Sequence, residues 1–185
     1  MAIVRLTRGA DWVAILSLAS TFFTQEEVAC VQELLDIYLH RSGQRDYTFL
    51  SCEDGNRVVG FACYGPTPLT KATFSLYWMC VDRDYRKHGV GSLLLADIED
   101  RVRQHGGALL LAETSSQPAY MPARRFYSAH GFHRVARIHD FYAEGDDLLV
   151  YSKRCLRAAA DTAQTAQVCS HRRARVPLGR HLAKS

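Results

Sequence analysis

The chain has 185 residues, 48% hydrophobic and 23% charged, with a formal net charge of +4, so one domain of this length can bury a full core without help from metals or disulfides. Its six cysteines (Cys30, Cys52, Cys63, Cys80, Cys155, Cys169) are scattered, with no C-x-x-C pair and no histidines at zinc spacing, which argues against a metal site or a stapled secreted scaffold and for free thiols in a reducing cytoplasm. Arg5, Arg8 and Asp11 interrupt the first apolar residues, and the stretch 12–23 is short and broken by Ser and Thr, so neither a signal peptide nor a membrane span is expected and the protein is read as soluble.

Ile3 to Leu6 alternates as a short strand does, and Trp12, Val13, Leu16 and Leu18 then follow a helical pattern. Thr24-Gln-Glu-Glu27 is a capping box, after which Val28, Val31, Leu34, Leu35 and Tyr38 fall at helical spacing, predicting a second helix to about Arg41. Two β-type runs, Tyr47 to Cys52 and Arg57 to Tyr64, flank the polar turn Glu53-Asp-Gly-Asn56 and read as an antiparallel hairpin. Thr73 to Val81 is a strand rich in aromatic and β-branched residues, and Val90, Leu94, Ile98 and Val102 share one helical face before Gly106 and Gly107. Leu109 to Glu113 is a compact apolar run that fits a buried strand. Pro122 to His130 is a short helix carrying Ala123, Phe126, Tyr127 and His130 on one stripe, and Phe132 to Ile138 and Leu148 to Tyr151 are two closing strands. The order β-α-α-β-β-β-α-β-α-β-β predicts a mixed α/β fold with helices on both faces of a central sheet.

The charge is unevenly placed. Residues 154–185 hold seven Lys or Arg and one Asp, against sixteen bases and eighteen acids in residues 1–153. A domain over 1–153 and a basic, flexible tail over 154–185 are therefore expected. The tail lacks aromatic interleaving, so nucleic acid is a disfavoured partner.

Arg86-Lys-His-Gly89-Val-Gly91 joins a strand to a helix, so its amides and the positive end of the helix converge where an anion can sit. Glycines permit the tight turn and the close approach of a phosphate, while Arg86, Lys87 and His88 add donors. A nucleoside-triphosphate loop would need Gly-Lys-Ser/Thr, and a dinucleotide fold a third glycine where Leu94 stands.

The stretch Val81-Asp-x-x-x-Arg86-x-x-Gly89-x-Gly91, set between strand and helix, resembles the acyl-CoA-binding motif of the GNAT superfamily of N-acetyltransferases. The resemblance implies a sheet splayed between the fourth and fifth strands, with acetyl-CoA as cosubstrate. Met79, Cys80 and Val81 would contact the acyl-pantetheine end, and Lys87, His88, Gly89, Val90, Gly91 and Ser92, with Arg86, would wrap the pyrophosphate. Arg124-Arg-Phe-Tyr127-Ser-Ala-His-Gly131 resembles the family segment whose tyrosine hydroxyl protonates the departing thiolate, which makes Tyr127 a catalytic candidate. Glu113-Thr-Ser-Ser, Tyr120-Met-Pro-Ala-Arg124 and Asp140-Phe-Tyr142-Ala-Glu-Gly-Asp-Asp147 further resemble a bacterial GNAT subgroup. The chain departs from that pattern by Ala123 in place of threonine, and from related chains by Ser75 where an acid is common.

Acetyl transfer to an amine needs the neutral nitrogen, and an alkyl ammonium has a pKa near ~10, so a base is required. Glu113, closing the apolar strand Leu109–Ala112, is the expected base, because desolvation there would raise its pKa; a structural carboxylate is the competing account. Tyr120, Arg124, Asp140 and Tyr142 are candidates for the acceptor pocket. Cys80 sits among apolar neighbours with no adjacent base, so direct transfer is expected rather than an acyl-enzyme. The function read from these residues is acetyl transfer to a primary amine of a small molecule or peptide. A non-catalytic acyl-CoA sensor is the alternative, and homodimerisation is left open.

Overall fold

The computed structural model describes residues 1–155, and the expected basic tail lies, from residue 156 on, outside the described residues. The elements in chain order are β1 (Ile3–Leu6), α1 (Trp12–Ser20), α2 (Gln25–His40), β2 (Thr48–Asp54), β3 (Arg57–Pro66), β4 (Thr73–Val81), α3 (Val90–Gln104), β5 (Leu109–Ser115), α4 (Met121–Ala129), β6 (His133–Ala143) and β7 (Asp146–Arg154). The expected order therefore holds. Seven strands form one sheet, β1-β2-β3-β4-β5-β7-β6, antiparallel except for β4 beside β5.

Period-two alternation splits the core between the two faces. Phe49, Phe61, Cys63 and Cys80 point to α1 and α2, meeting Ile15, Leu18, Val31 and Leu35. Leu50, Ala62, Leu76, Leu110 and Ala112 point the other way, to Val90, Leu94, Ile98 and Val102 of α3 and Tyr127 of α4. The Thr24–Glu27 box caps α2 in both directions: the Glu27 amide donates to Thr24 Oγ1 (3.2 Å) and the Thr24 amide to Glu27 Oε2 (2.8 Å). At the other end of the sheet Arg5 of β1 donates to Asp11 Oδ2 (2.6 Å) and Glu53 Oε2 (2.6 Å). That trio pins the first strand to β2 and to the turn before α1.

Several strands lengthen relative to the sequence reading. β2 continues to Asp54 and β3 to Pro66, and with β3 starting at Arg57 as expected the hairpin turn is only Gly55-Asn56. β6 and β7 run several residues past the apolar segments that marked them, because β6 is an edge strand exposed along its whole length and so needs no apolar alternation. Among the described residues no helix is long and apolar enough to cross a membrane.

The feature that creates a cleft is the parting of β4 from β5. They pair only from Thr73↔Leu109 to Leu76↔Ala112. At that point β4 carries a bulge against β3, where Cys63 faces Trp78 and Tyr64 faces Leu76, leaving Tyr77 extra. A bulge bends and twists its strand, and beyond it Tyr77–Val81 swings away from Glu113–Ser115.

Candidate active site

The connection from β4 to α3 enters the helix through Lys87 (φ 63°) and Gly89 (φ 84°), both left-handed. Gly89 is the residue before α3, and no side chain caps the helix there. Within the described residues the backbone amides of Lys87, Gly89, Val90, Gly91 and Ser92 have no acceptor, and the His88 amide has only a long one, Tyr85 O at 3.4 Å. Free amides at a helix N-terminus, where the macrodipole is positive, form an anion cradle. Gly89 serves the turn. Gly91 serves packing as well, since a Cβ there would stand 3.1 Å from the Phe126 ring. Ser92 Oγ lies 2.8 Å from His130 Nε2, and His130 Nδ1 lies 2.8 Å from Phe126 O. The carbonyl fixes the ring proton on Nδ1, so Nε2 accepts from Ser92 and ties α4 to the start of α3.

Lys87 and His88 are exposed at this turn. Arg86 is placed differently from the sequence expectation: its guanidinium lies 4.2 Å over the Phe22 ring, in the turn between α1 and α2, and its Nε reaches Val81 O at 3.5 Å. Of the three β4 residues, Met79 and Val81 face the α3 side of the sheet and Cys80 the α1 side. Cys80 is 5% exposed, and burial pushes its thiol up to about 12. A thiol that stays protonated is a poor nucleophile.

Tyr127 sits in the core among Phe126, Phe132 and Tyr151, with ring centroids 6.1, 5.5 and 5.7 Å away. It is 8% exposed, and burial pushes its phenol up to about 12. Glu113 is the first β5 residue beyond the last β4 pair, and its side chain is exposed. The expected burial of this carboxyl is therefore not observed. Ala112 and Thr114 on either side are buried, so Glu113 projects from the face opposite Tyr127.

The four acceptor candidates divide. Tyr120 and Tyr142 come together with acids: burial, then the Glu27 bond, raises the Tyr120 phenol, and burial followed by the charges of Glu113, Asp146 and Glu27 raises that of Tyr142. Arg124 is engaged structurally, donating to Ser115 O and Gln117 O, each at 2.8 Å. Asp140 shapes the backbone. Ile138 pairs with Leu148 and Ala143 with Asp146, so residues 139–142 bulge out opposite the single Asp147. Asp140 has φ 53°; its amide donates to Asp147 Oδ1 (3.0 Å) and its Oδ1 accepts from Gly145 N (2.7 Å). Buried Asp147 is held below the usual carboxylate range, chiefly by that amide and also by Arg137. The bulge leaves Phe141 and Tyr142 55% and 50% exposed.

Sequence reasoning missed Glu27 as a site residue. Its Oε1 accepts from Tyr120 OH at 2.6 Å, across 93 positions of chain. The capping-box signal located the residue but explained only its other oxygen.

A family model described as the acetyltransferase (GNAT) family matches residues 12–132. The crystal structure of a GNAT-family protein from Desulfovibrio desulfuricans is 36% identical, covers 84% of this chain and 100% of its own, and superposes with a TM-score of 0.81. The ribosomal-protein-S18-alanine N-acetyltransferase of Escherichia coli is 19% identical, with 87% and 98% covered and a TM-score of 0.64. An aminoglycoside 6'-N-acetyltransferase complexed with coenzyme A is 14% identical, with 84% and 98% covered and a TM-score of 0.67. No curated protein matches the chain in sequence.

Proposed function

This chain belongs to the GNAT acetyltransferase family, and on that premise we propose that it transfers an acetyl group from acetyl-CoA directly to a primary amine of a small molecule or peptide, in a ternary complex. The observation that carries the reading is the run of free amides at Lys87 and Gly89–Ser92 beside the split between β4 and β5. A pyrophosphate satisfies those amides, and the unpaired β5-side edge of Tyr77–Val81 can pair with an extended pantetheine arm as with an added strand. Acetyl-CoA, when bound, supplies the electrophilic thioester carbon.

Glu113 and Tyr127 then take complementary roles on opposite faces of the sheet. As the new C–N bond forms, Glu113 takes the proton lost by the nitrogen, directly or through a water, for which its exposure leaves room. As the C–S bond breaks, the Tyr127 hydroxyl donates to the departing sulfur. The high pKa of Cys80 favours direct transfer over an acyl-enzyme. Residues 1–155 are the catalytic domain in this reading, and the free thiols among them support a reducing, cytoplasmic setting.

Calorimetry with acetyl-CoA and a thiol-release assay across amines test the proposal together. Micromolar binding with amine-dependent thiol release is expected. Glu113→Gln should lower kcat by about 100-fold and leave acetyl-CoA affinity unchanged; unaltered turnover would remove Glu113 as base. Binding without turnover on any amine would instead favour an acyl-CoA sensor.

A further inference from the structure

The two sides of the split are each braced by their own contacts. On the β4 side, the turn between α1 and α2 rests on the strand: Phe23 meets Trp78 edge-on at 5.1 Å, Cys80 Sγ approaches Leu18 O at 3.9 Å, and Arg86 covers Phe22. Glu27, in the first turn of α2, is carried by that assembly. On the β5 side, the stretch 116–120 is fastened to its strand: Gln117 N donates to Ser115 Oγ (3.0 Å), Ser116 N to Asp147 O (2.9 Å), and Arg124 joins the Gln117 carbonyl to that of Ser115 in β5. Tyr120 is carried by this second assembly. The bond from Tyr120 OH to Glu27 Oε1, 2.6 Å long, therefore spans the opening between two otherwise separately braced walls.

Charge at this bridge has one sign. Glu27, Glu113 and Asp146 lie near Tyr120 and Tyr142, and none of the three has a Lys, Arg or His within 4.0 Å among the described residues. Arg124 is the cation nearest in sequence to Tyr120, and one of its guanidinium nitrogens is shared between the Ser115 and Gln117 carbonyls. The exposed Tyr142 ring, thrust out by the Asp147-centred bulge, adds an aromatic face, which also attracts cations.

We propose that Glu27 and Tyr120 form a clasp across the acceptor end of the split, that it positions an acceptor carrying a second amino group, and that this second group, still protonated, is held by Glu27. The reacting nitrogen must shed its proton to attack, so the ammonium held by a carboxylate is a different one. The inference rests on the acetyltransferase reading and narrows its acceptor to diamines and their relatives. Glu27 and Tyr120 are positioning residues that act on the second amino group and not on the nitrogen that reacts.

Two variants separate the clasp from the charge. Tyr120→Phe keeps the ring and removes the bond. Glu27→Gln keeps the helix cap through its one carbonyl oxygen, turns an amide N–H to the Tyr120 oxygen so that the bond reverses direction, and removes the charge. The probes are matched pairs, butylamine against 1,4-diaminobutane and norleucine amide against lysine amide, assayed by thiol release, with acetyl-CoA binding measured by calorimetry and folding by Tm. The wild type is expected to prefer the diamine of each pair. Glu27→Gln should raise KM for the diamines about tenfold and leave that for the monoamines unchanged, and Tyr120→Phe should raise KM for both, about tenfold, with acetyl-CoA affinity constant in each. Preference for the monoamines, or diamine KM values unmoved in both variants, overturns the clasp while leaving the enzyme reading intact. Loss of thiol release with every amine in the wild type overturns the enzyme reading itself. Should Tyr120→Phe melt early, Glu27→Gln still decides, because its oxygen keeps the cap and its amide N–H can donate to the Tyr120 oxygen.

Discussion

Burial of the Tyr127 ring pushes its phenol up to about 12, whereas a thiol ordinarily titrates near ~8.5. Complete proton transfer from this phenol to a thiolate is uphill by roughly 5 kcal/mol at about 1.4 kcal/mol per unit. In the proposed mechanism Tyr127 is therefore a hydrogen-bond donor that stabilises negative charge on sulfur as the bond breaks, rather than a fully dissociating acid. Tyr127→Phe is expected to lower kcat about 10- to 100-fold, with acetyl-CoA affinity held and no change in the shape of the kcat profile between roughly pH 6 and 9, where the phenol stays protonated. The same shift has a stability signature. A folded pKa raised from 10.0 to about 12 gives stability that is whole below pH 10 and is lost as pH rises towards 12. Urea melts of Tyr127→Phe should show a shallower alkaline loss than wild type. The sequence marks Tyr127 through its motif, while the stripe with Phe126 and His130 also reads as core; the structure buries the ring in that core, and the role at the sulfur belongs to the proposed mechanism. Glu27 shows the opposite limit. A bond between residues 93 apart leaves no local pattern to read.

Elements that bury one face announce themselves, and those that do not stay hidden. α3 was bounded almost to the residue because Val90, Leu94, Ile98 and Val102 are all buried, and β4 because both its faces carry core. β6 was cut short at Ile138 because its exposed residues carry no alternation, and the excursion at 139–142 is set by one buried carboxylate, Asp147, which periodicity cannot register. The parting of β4 from β5 was available only through family resemblance, since its structural cause, the extra residue Tyr77, is a register fact. At the loop before α3 the backbone itself makes the prediction. No atom lies within 4 Å of a Cβ placed on Gly89, yet its φ of 84° is one that alanine adopts at a cost of about 1 kcal/mol or more. Gly89→Ala should lower Tm modestly and raise the acetyl-CoA Kd about tenfold as the amides turn aside. At the far edge, β1 depends on Arg5 between Asp11 and Glu53. Burial opposes ionisation of Asp11, but its bonds to Arg5 and to the Arg8 amide win and hold it below 3.8. A depressed carboxylate contributes stability present above its unfolded pKa and lost as pH falls through the folded one. Acid titration of stability should therefore fall below about pH 4, and Arg5→Met should cost about 3 kcal/mol at neutral pH and flatten that fall.

Taken whole, the described chain closes its sheet late. Leu109 pairs with Arg154 at the end of β7, the Cys155 amide donates to Ala108 O at 3.0 Å, and the Cys155 side chain is buried against α3 in the main core. A folding unit ended at Lys153, where apolar pattern and charge asymmetry suggest a boundary, therefore leaves out the last pair of the ladder and one core side chain. We propose that the folding unit runs through Cys155. A chain stopped there should bind acetyl-CoA as the full chain does and melt within about 3 °C of it. Stopping at Lys153 exposes the Ala108 carbonyl and the pocket that Cys155 fills, a loss of about 1–3 kcal/mol, which for a domain of this size lowers Tm by about 5 °C. The penalty falls on the α3 face that also supports Gly91 and Tyr127, so weaker acetyl-CoA binding should accompany the lower Tm in the shorter chain. Equal melting of the two truncations would show that the sheet closes before Arg154 and return the boundary to where the charge pattern puts it.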